Sequence, residues 1–280
     1  MKFDLCRGKA SGLLRSLVAV ALCGLCPGLA VAGQAAVEAL VFCHEDQDAY
    51  PWVMTDRTGL NLQLLGLVAE TLALTFTYVP VPWKRCLSGL EQGLYDGAFA
   101  SSFKIERLSA GHYPLASDGQ PDVNRRLHMS RYALYRRRGE AVTWDGSAFR
   151  HLHGRIGSLS GFSIVGFLRE QGVEVDETSR DPLAMLRMLD RGRIEAAALQ
   201  SQRADFVLQA NPPLAQRIEK VESLLEEKPY YLMLSKALVA HDPALAQSIW
   251  DEIAWQRESP TYQQRMRLFL QGSDAAARVP

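Results

Sequence analysis

Helical and strand-like apolar patterns alternate along the first third of the chain, beyond a short N-terminal leader. Residues 39–43 (ALVFC) are apolar throughout, as in a strand that is covered on both faces. The segment after Gly59 carries an apolar stripe at helical spacing, and residues 75–81 (TFTYVPV) are rich in the β-branched and aromatic types that favour strands. These patterns predict a strand, a helix and a second strand in that order.

The next stretch, residues 82–107, continues the alternation, and the rest of the chain is organised around it. Leu87, Leu90 and Leu94 recur at helical spacing, so we expect all three to face the core. Residues 96–100 (DGAFA) are short and apolar, which predicts a third buried strand. An order of β-α-β-α-β calls for a parallel sheet with right-handed crossovers, and therefore for an α/β fold.

Polar and aromatic side chains around this third strand suggest a binding site. Ser101, Ser102 and Arg107 are expected in the loop at its carboxyl end, the edge at which open α/β sheets bind ligands. Trp83 adds a flat aromatic face at the start of the preceding helix. A guanidinium, two hydroxyls and an aromatic plate together suit a small anion with an organic body.

A similar plan of strand, turn and helix recurs in the second half of the chain. Residues 155–159 (RIGSL) predict a strand, and the Ser-Gly-Phe-Ser turn after it opens a helix. Backbone N–H groups at a helix start can bind a carboxylate, although ordinary capping by Ser160 or Ser163 explains the same residues. Residues 194–199 (IEAAAL) predict a buried strand that ends at Gln200.

Two long extended segments, residues 127–138 and 222–235, predict crossings between two lobes. Two crossings make a hinge, so a ligand trapped between the lobes would shift an equilibrium between open and closed forms. The predicted organisation is a signal peptide at 1–32, lobe 1 at 33–132, lobe 2 at 133–231, a return to lobe 1 at 232–272 and a flexible tail at 273–280.

The leader predicts that the chain is exported. Several basic side chains precede an apolar run at residues 17–29, which is too short for a comfortable membrane span. Ala30, Val31 and Ala32 offer a small-x-small cleavage site, so we expect cleavage near Ala32. An uncleaved N-terminal anchor is the alternative.

Two cysteines, Cys43 and Cys86, remain beyond the leader. In an exported chain an even pair favours a disulfide, and the two positions can be neighbours in the predicted sheet. Two separate buried thiols are the alternative. His44 lies nearby, but no second His or Cys stands at metal-ligand spacing, so we predict no metal and expect His44 at the surface.

Composition and charge narrow the classes of partner. Of 280 residues, 48% are hydrophobic and 22% are charged, which is an ordinary globular balance, and the formal net charge is zero. Because the chain has neither a basic stripe nor a high isoelectric point, we do not expect nucleic acid as a partner.

The order of an aromatic-led helix, G-x-x-D, a buried strand, a Ser-rich turn and x-x-x-E-R in residues 82–107 resembles the extracellular solute-binding proteins of family 3. These periplasmic receptors deliver polar amino acids to ABC importers, and the resemblance covers roughly residues 40–270. It implies a type II two-lobed periplasmic-binding-protein fold with two hinge crossings. It also implies a small ligand bearing a carboxylate, ABC-transporter membrane subunits as partners, a monomer and no cofactor.

The resemblance also implies roles for individual residues. Arg107 would pair with a ligand carboxylate, and Ser102 and the turn at residues 161–163 would donate further hydrogen bonds to it. Trp83, with Tyr50 or Trp52, would stack on the ligand body. The ligand-binding residues predicted in this way are Glu45, Tyr50, Trp52, Trp83, Ser101, Ser102, Arg107, Gly161, Phe162, Ser163 and Gln200.

Two positions depart from the pattern of the family. Phe162 follows Gly161 where the family commonly has Thr. Gln200 stands where the family often has an Asp that holds the α-ammonium of the ligand, and a neutral amide cannot form that ion pair. A carboxylate without an amine fits this substitution, as does an amino acid held in another orientation with Glu45 supplying the lost charge.

Two other functions stay open on the same fold. One is a ligand-sensing module for a signalling partner, and the other is a periplasmic dehydratase acting on prephenate or arogenate. An enzyme needs a poised acid or base in the cleft, and Glu45 is the one candidate, without a convincing histidine partner. We therefore predict a binding protein rather than an enzyme.

Overall fold

The structure is a computed structural model that describes residues 39–276, with side chains described as far as residue 272. The predicted signal peptide, residues 1–32, lies outside the described residues, as do residues 277–280 of the predicted tail. Within the described range, no helix combines the length and the apolar character needed to cross a membrane.

Eleven strands are present in the described residues, and the longest two are the segments predicted as crossings. The strands are β1 (Leu40–His44), β2 (Phe76–Pro80), β3 (Gly97–Ser102), β4 (Gly111–His112), β5 (His128–Arg137), β6 (Thr143–Trp144), β7 (Phe149–Arg150), β8 (Ile156–Gly157), β9 (Val175–Asp176), β10 (Ala196–Gln200) and β11 (Ile218–Ser235).

Helices alternate with the strands, and three of them follow the last strand. The helices are α1 (Leu60–Thr71), α2 (Trp83–Glu91), α3 (Ile164–Glu170), α4 (Pro182–Asp190), α5 (Ser201–Gln209), α6 (Pro212–Ala215), α7 (Lys236–His241), α8 (Pro243–Glu258) and α9 (Pro260–Ala276). Arg107 lies in a short 3₁₀ turn, Ile105–Ser109, rather than in an open loop.

One sheet runs through both halves of the molecule in the order β2-β1-β3-β11-β5-β10-β8-β9. At one end β1 pairs in parallel with β2 and β3, and at the other β8 pairs in parallel with β9 and β10. Between these two parallel groups, β5 and β11 pair antiparallel with each other and with their neighbours. The α/β fold and the two crossings predicted from the sequence are therefore confirmed.

Each parallel group has its own apolar core. We call the β1–β3 side the first half and the β8–β10 side the second half. The core of the first half contains Phe42, Leu64, Ile249 and Tyr262, so the last two helices return to complete it. The cores of the second half form around β5, β10 and the helices α3 and α4.

Two large apolar side chains lie on the surface, the first of them against expectation. Leu94 was expected to face the core with Leu90, but its exposed fraction is 65%. The reason is that α2 ends at Glu91 and Gly93 adopts φ +74°, which turns the chain before Leu94 is reached. Trp255 is also 65% exposed, on the face of α8 away from Ile253.

Candidate functional site

A cavity of about 40 Å³ lies between residues of the two halves. It lies at the carboxyl ends of β1, β3 and β10, the edge of an α/β sheet at which ligands bind. From the first half the cavity brings together the predicted residues Glu45, Trp52, Trp83, Ser102 and Arg107, and from the second half Phe162, Ser163 and Gln200.

Three predicted residues lie beside the cavity without lining it. Tyr50 stacks on Phe206 of α5, with ring centroids 4.5 Å apart, and so joins the two halves directly. The Oγ of Ser101 lies 2.7 Å from the hydroxyl of Tyr113 and 3.5 Å from Nη1 of Arg107. Gly161 contributes its backbone carbonyl to an arginine that does line the cavity.

An irregularity in β3 decides which serine faces the cavity. The pairing of β3 with β11 shifts register by one residue between Ala98 and Ser101, and Ala100 adopts φ +60° at this bulge. Ala100 and Ser102 then line the cavity, whereas Ser101 does not. Both serines were expected in a loop after the strand. They belong instead to the strand, because pairing with Tyr230 and Tyr231 of β11 extends it.

Arg107 is buried and held by neutral partners. Its Nη1 donates to the carbonyl of Ser102 at 2.7 Å and to the Oγ of Ser102 at 3.1 Å. Its Nη2 donates to the carbonyl of Gly161 in the second half at 3.2 Å. Gly161 has φ +81°, a conformation that favours glycine and that sets the direction of this carbonyl. The guanidinium therefore spans the two halves, and none of these partners neutralises its charge.

The aromatic side chains around the cavity pack on protein groups. The Trp83 ring lies under the Arg107 guanidinium, 5.3 Å from its Cζ, which is a cation–π contact. Trp52 stacks on His128 with ring centroids 3.8 Å apart, and His128 in turn stacks on Tyr230 at 5.2 Å. This row of three rings forms one wall of the cavity.

Glu45 is the one acidic side chain that lines the cavity among the described residues. Its Oε2 accepts the backbone N–H of Trp83 at 3.0 Å, and its Oε1 lies 3.5 Å from Nη1 of Arg180 in the second half. Burial, with a hydrogen bond to Asp46, raises the pKa of Glu45 to about 7, although the charge of Arg203 acts in the opposite direction.

Asp46 and Arg180 form an ion pair between the two halves beside this carboxyl. Nη1 of Arg180 lies 2.8 Å from Oδ1 of Asp46. Burial acts to raise the pKa of Asp46, but hydrogen bonds from Glu45, Gln47 and Arg180 outweigh it and hold that pKa below its ordinary value. Asp46 therefore carries the negative charge of the two neighbouring acids while Glu45 tends to keep a proton.

Gln200 joins a chain of neutral polar groups. Its Nε2 donates to the hydroxyl of Tyr230 at 3.1 Å, and that hydroxyl lies 2.7 Å from the hydroxyl of Tyr132. The Gln200 amide therefore hydrogen-bonds to a protein side chain, at the position where family 3 solute-binding proteins often carry a carboxylate. Ser163, at the N-cap of α3, makes no capping hydrogen bond with its side chain, so capping does not account for it.

Four polar residues that line the cavity were not predicted from the sequence, namely His44, His128, Tyr230 and Arg203. His44 was expected at the surface but is only 7% exposed, because it continues β1 beneath Phe99. Burial lowers the pKa of His44, and it lowers that of His128 to about 3, so both rings are neutral. One signal could have indicated Arg203. It lies in the first turn of α5, where a positive charge is repelled by the helix dipole, and such an unfavourable position suggests a functional role.

The predicted disulfide between Cys43 and Cys86 is present. It ties the end of β1 to the first turn of α2, and so fixes the two segments that carry Glu45 and Trp83. In the part of the chain that the structure describes, no three His, Cys, Asp or Glu side chains are grouped so that they could hold a metal ion.

Comparisons with protein-family models and with curated protein sequences gave no match. Solved structures do match. A histidine kinase sensor domain with similarity to periplasmic binding proteins has a TM-score of 0.69 at 17% identity, covering 83% of this chain and 96% of its own. The GluR0 ligand-binding core from Nostoc punctiforme, in complex with L-glutamate, has a TM-score of 0.63 at 18% identity, covering 80% of this chain and 96% of its own.

A third similar structure is the substrate-binding protein of an amino acid ABC transporter, with a TM-score of 0.64 at 12% identity. The match covers 83% of this chain and 99% of that one. At these identities the comparisons establish the fold. The chain therefore has the two-lobed α/β fold of periplasmic binding proteins that the sequence resemblance implied.

Proposed function

We propose that the chain is a periplasmic solute-binding protein that captures a small carboxylate-bearing ligand, an amino acid or a related organic acid, between its two lobes for an ABC importer. The observation that carries the proposal is Arg107: a buried guanidinium that lines a cavity between the two halves and has only neutral partners in the described residues. Such a group is suited to bind a carboxylate with two parallel hydrogen bonds.

The proposal includes the division into lobes and the place in the cell. Lobe 1 comprises residues 33–132 and 232–272, and lobe 2 comprises residues 133–231, so the crossings β5 and β11 act as the hinge. The leader at residues 1–32 directs export, the mature chain is a monomer, and it delivers its ligand to the membrane subunits of the importer. Support comes from the similar fold of an amino acid ABC transporter's substrate-binding protein.

A screen of amino acids and organic acids by thermal shift tests the proposal. A ligand that binds only the folded protein should stabilise it by about 2.7 kcal/mol at a hundred times its Kd. Arg107→Ala should abolish that stabilisation, whereas Arg85→Ala, which removes an exposed arginine from α2, should leave it intact. Full-affinity binding by a folded Arg107→Ala variant in calorimetry would show that the ligand is not held at this cavity.

A ligand-sensing module for a signalling partner is the second candidate, and it is favoured by the similarity to a histidine kinase sensor domain. Uptake of the labelled ligand by cells with and without the gene separates the two. An importer receptor requires uptake to fall, whereas a sensor requires normal uptake and a lost transcriptional response. Incubation of the purified protein with prephenate tests the enzyme alternative, and we expect no turnover.

A further inference from the structure

A second arginine reaches the cavity from α5. Arg203 is only 3% exposed, and it lines the same cavity as Arg107. Its Nε, Nη1 and Nη2 atoms all lack a hydrogen-bond partner within the described part of the chain. Its Cζ lies 5.6 Å above the ring of Phe162, which is a cation–π contact and not a hydrogen bond.

Nothing in the fold explains why a cation is kept at this position. Arg203 is the third residue of α5, where a positive charge is repelled by the positive end of the helix dipole. Burial lowers its pKa, and the acids that act against this, Glu45 first and then Asp48 and Asp181, form no ion pair with it. A buried charge without a partner destabilises a folded protein, so a residue of this kind is expected to have a role in binding.

The side chains that line the cavity carry a net positive charge. Arg107 and Arg203 are both buried and have no carboxylate partner among the described residues. His44 and His128 are neutral because burial lowers the pKa of each ring. Within residues 39–272, Glu45 is the only acid in the wall of the cavity, and its pKa of about 7 leaves it partly protonated at neutral pH.

Among the described residues, Glu45 is the one charged group in the cavity wall that could bind an ammonium group. The amide of Gln200 is bonded to Tyr230, and it carries no charge. Glu45 already accepts the Trp83 N–H and lies beside Arg180. An ammonium group near the N-terminus of α5 would be repelled by Arg203 and by the positive end of the helix dipole.

We propose that the ligand is a short organic dianion with two carboxylates and no ammonium group, and that Arg107 binds one carboxylate while Arg203 binds the other. This rests on the proposed function, because it assigns the ligand class of the same cavity. The cavity of about 40 Å³ favours a short chain between the carboxylates, since a single water already needs roughly 10–15 Å³. The second carboxylate would then accept two parallel hydrogen bonds from N–H groups of Arg203 that have no partner in the described residues.

Isothermal titration calorimetry with matched probes tests the proposal. The probes are malonate, succinate and glutarate, then butyrate as a monocarboxylate of the length of succinate, aspartate as its ammonium-bearing analogue, and inorganic phosphate. For the unaltered protein we expect one of the three dicarboxylates to bind at least about 30-fold tighter than butyrate, the ratio that corresponds to about 2 kcal/mol. Aspartate and phosphate should bind more weakly than that dicarboxylate.

The variant Arg203→Met should remove most of the preference for a dicarboxylate over butyrate. Arg203→Lys, which keeps the charge but not the fork of donors, should keep part of it. Arg191→Met, at an exposed arginine of the second half, should leave the preference unchanged. Without any ligand, Arg203→Met should raise or leave unchanged the melting temperature, because it replaces an unpaired buried charge by an apolar side chain.

Several results would overturn the proposal. Tighter binding of aspartate than of succinate by the unaltered protein would mean that the cavity holds an ammonium group. Binding of phosphate alone, or of none of the three dicarboxylates, would mean that the ligand is not of this class. A large fall in melting temperature for Arg203→Met would mean that the residue is structural. None of these results decides the proposed function. That function is tested separately by the loss of ligand binding in Arg107→Ala, which does not depend on Arg203.

Discussion

Protonation of Glu45 should couple the stability of the protein to pH near neutrality. Burial of its carboxyl, together with the hydrogen bond to Asp46, raises its pKa from 4.5 to about 7, against the opposing effects of the Arg203 charge and of the Trp83 N–H. The folded state therefore binds this proton more tightly than the unfolded state does. The contribution of Glu45 to stability is complete below pH 4.5 and is lost as the pH rises through about 7.

The size of the effect follows from the shift in pKa. A shift from 4.5 to about 7 corresponds to roughly 3 kcal/mol at 1.36 kcal/mol per unit. Between pH 5 and pH 8 the part that is lost is roughly 2 to 3 kcal/mol, because the unfolded state is already partly ionised at pH 5. The substitution Glu45→Gln removes the titration, so its free energy of unfolding should fall less over this interval.

Urea denaturation followed by tryptophan fluorescence at pH 5, 6, 7 and 8 measures the difference. We subtract the free energy of unfolding of the unaltered protein from that of Glu45→Gln at each pH. This difference should rise by roughly 2 to 3 kcal/mol between pH 5 and pH 8. Glu91→Gln, which changes an exposed acid on α2, is the control and should follow the unaltered protein at each pH. Parallel pH curves for Glu45→Gln and the unaltered protein would refute the assignment of a raised pKa to this carboxyl.

Three further predictions concern other features of the site. Arg180→Met removes the ion pair with Asp46 and should weaken ligand binding by about 1.4- to fivefold in calorimetry, since a half-exposed pair stabilises the closed form by about 0.2–1 kcal/mol. Replacing Cys43 and Cys86 by Ala should lower the free energy of unfolding by about 4 kcal/mol in urea titrations, because the bond closes a long loop. Ala100→Gly should leave stability unchanged or raise it by up to about 1 kcal/mol, as it relieves a positive φ.

Controls and contradicting outcomes can be stated for these three predictions. Arg187→Met alters an exposed arginine on α4 and should not change affinity, and equal affinity for Arg180→Met would show that the pair does not bias closure. An unchanged free energy of unfolding under reducing conditions would contradict the role of the disulfide. Ala98→Gly, in the regular part of β3, should destabilise by about 0.5–1 kcal/mol, and a similar loss at Ala100 would argue against strain there.

The fold could be predicted because its signals are local and repeated. Apolar runs such as residues 39–43 and 194–199 indicate buried strands, and the two long extended segments indicate the crossings. Strand ends were less certain, because tertiary pairing decides them. The extension of β3 to Ser102 depends on β11, which lies more than a hundred residues further along the chain.

The candidate site could be predicted only in part. Arg107, Trp83 and Ser102 lie in one continuous stretch, so a single pattern indicates them together. Arg203 and His128 reach the cavity through the packing of the second half and of the crossing β5, and neither carries a motif of its own. The partners of Trp52 and Tyr50 are rings from distant segments, which no spacing along the chain reveals.

The return of α8 and α9 to the first half has a consequence for the order in which the chain folds as it is made. The core of the first half joins Phe42 to Tyr262, so it cannot be completed until nearly the whole chain has left the ribosome or the export channel. The main core of the second half draws on residues from Tyr132 to Tyr230 and is available earlier. We therefore expect the middle of the chain to fold first and the two ends to close over it last.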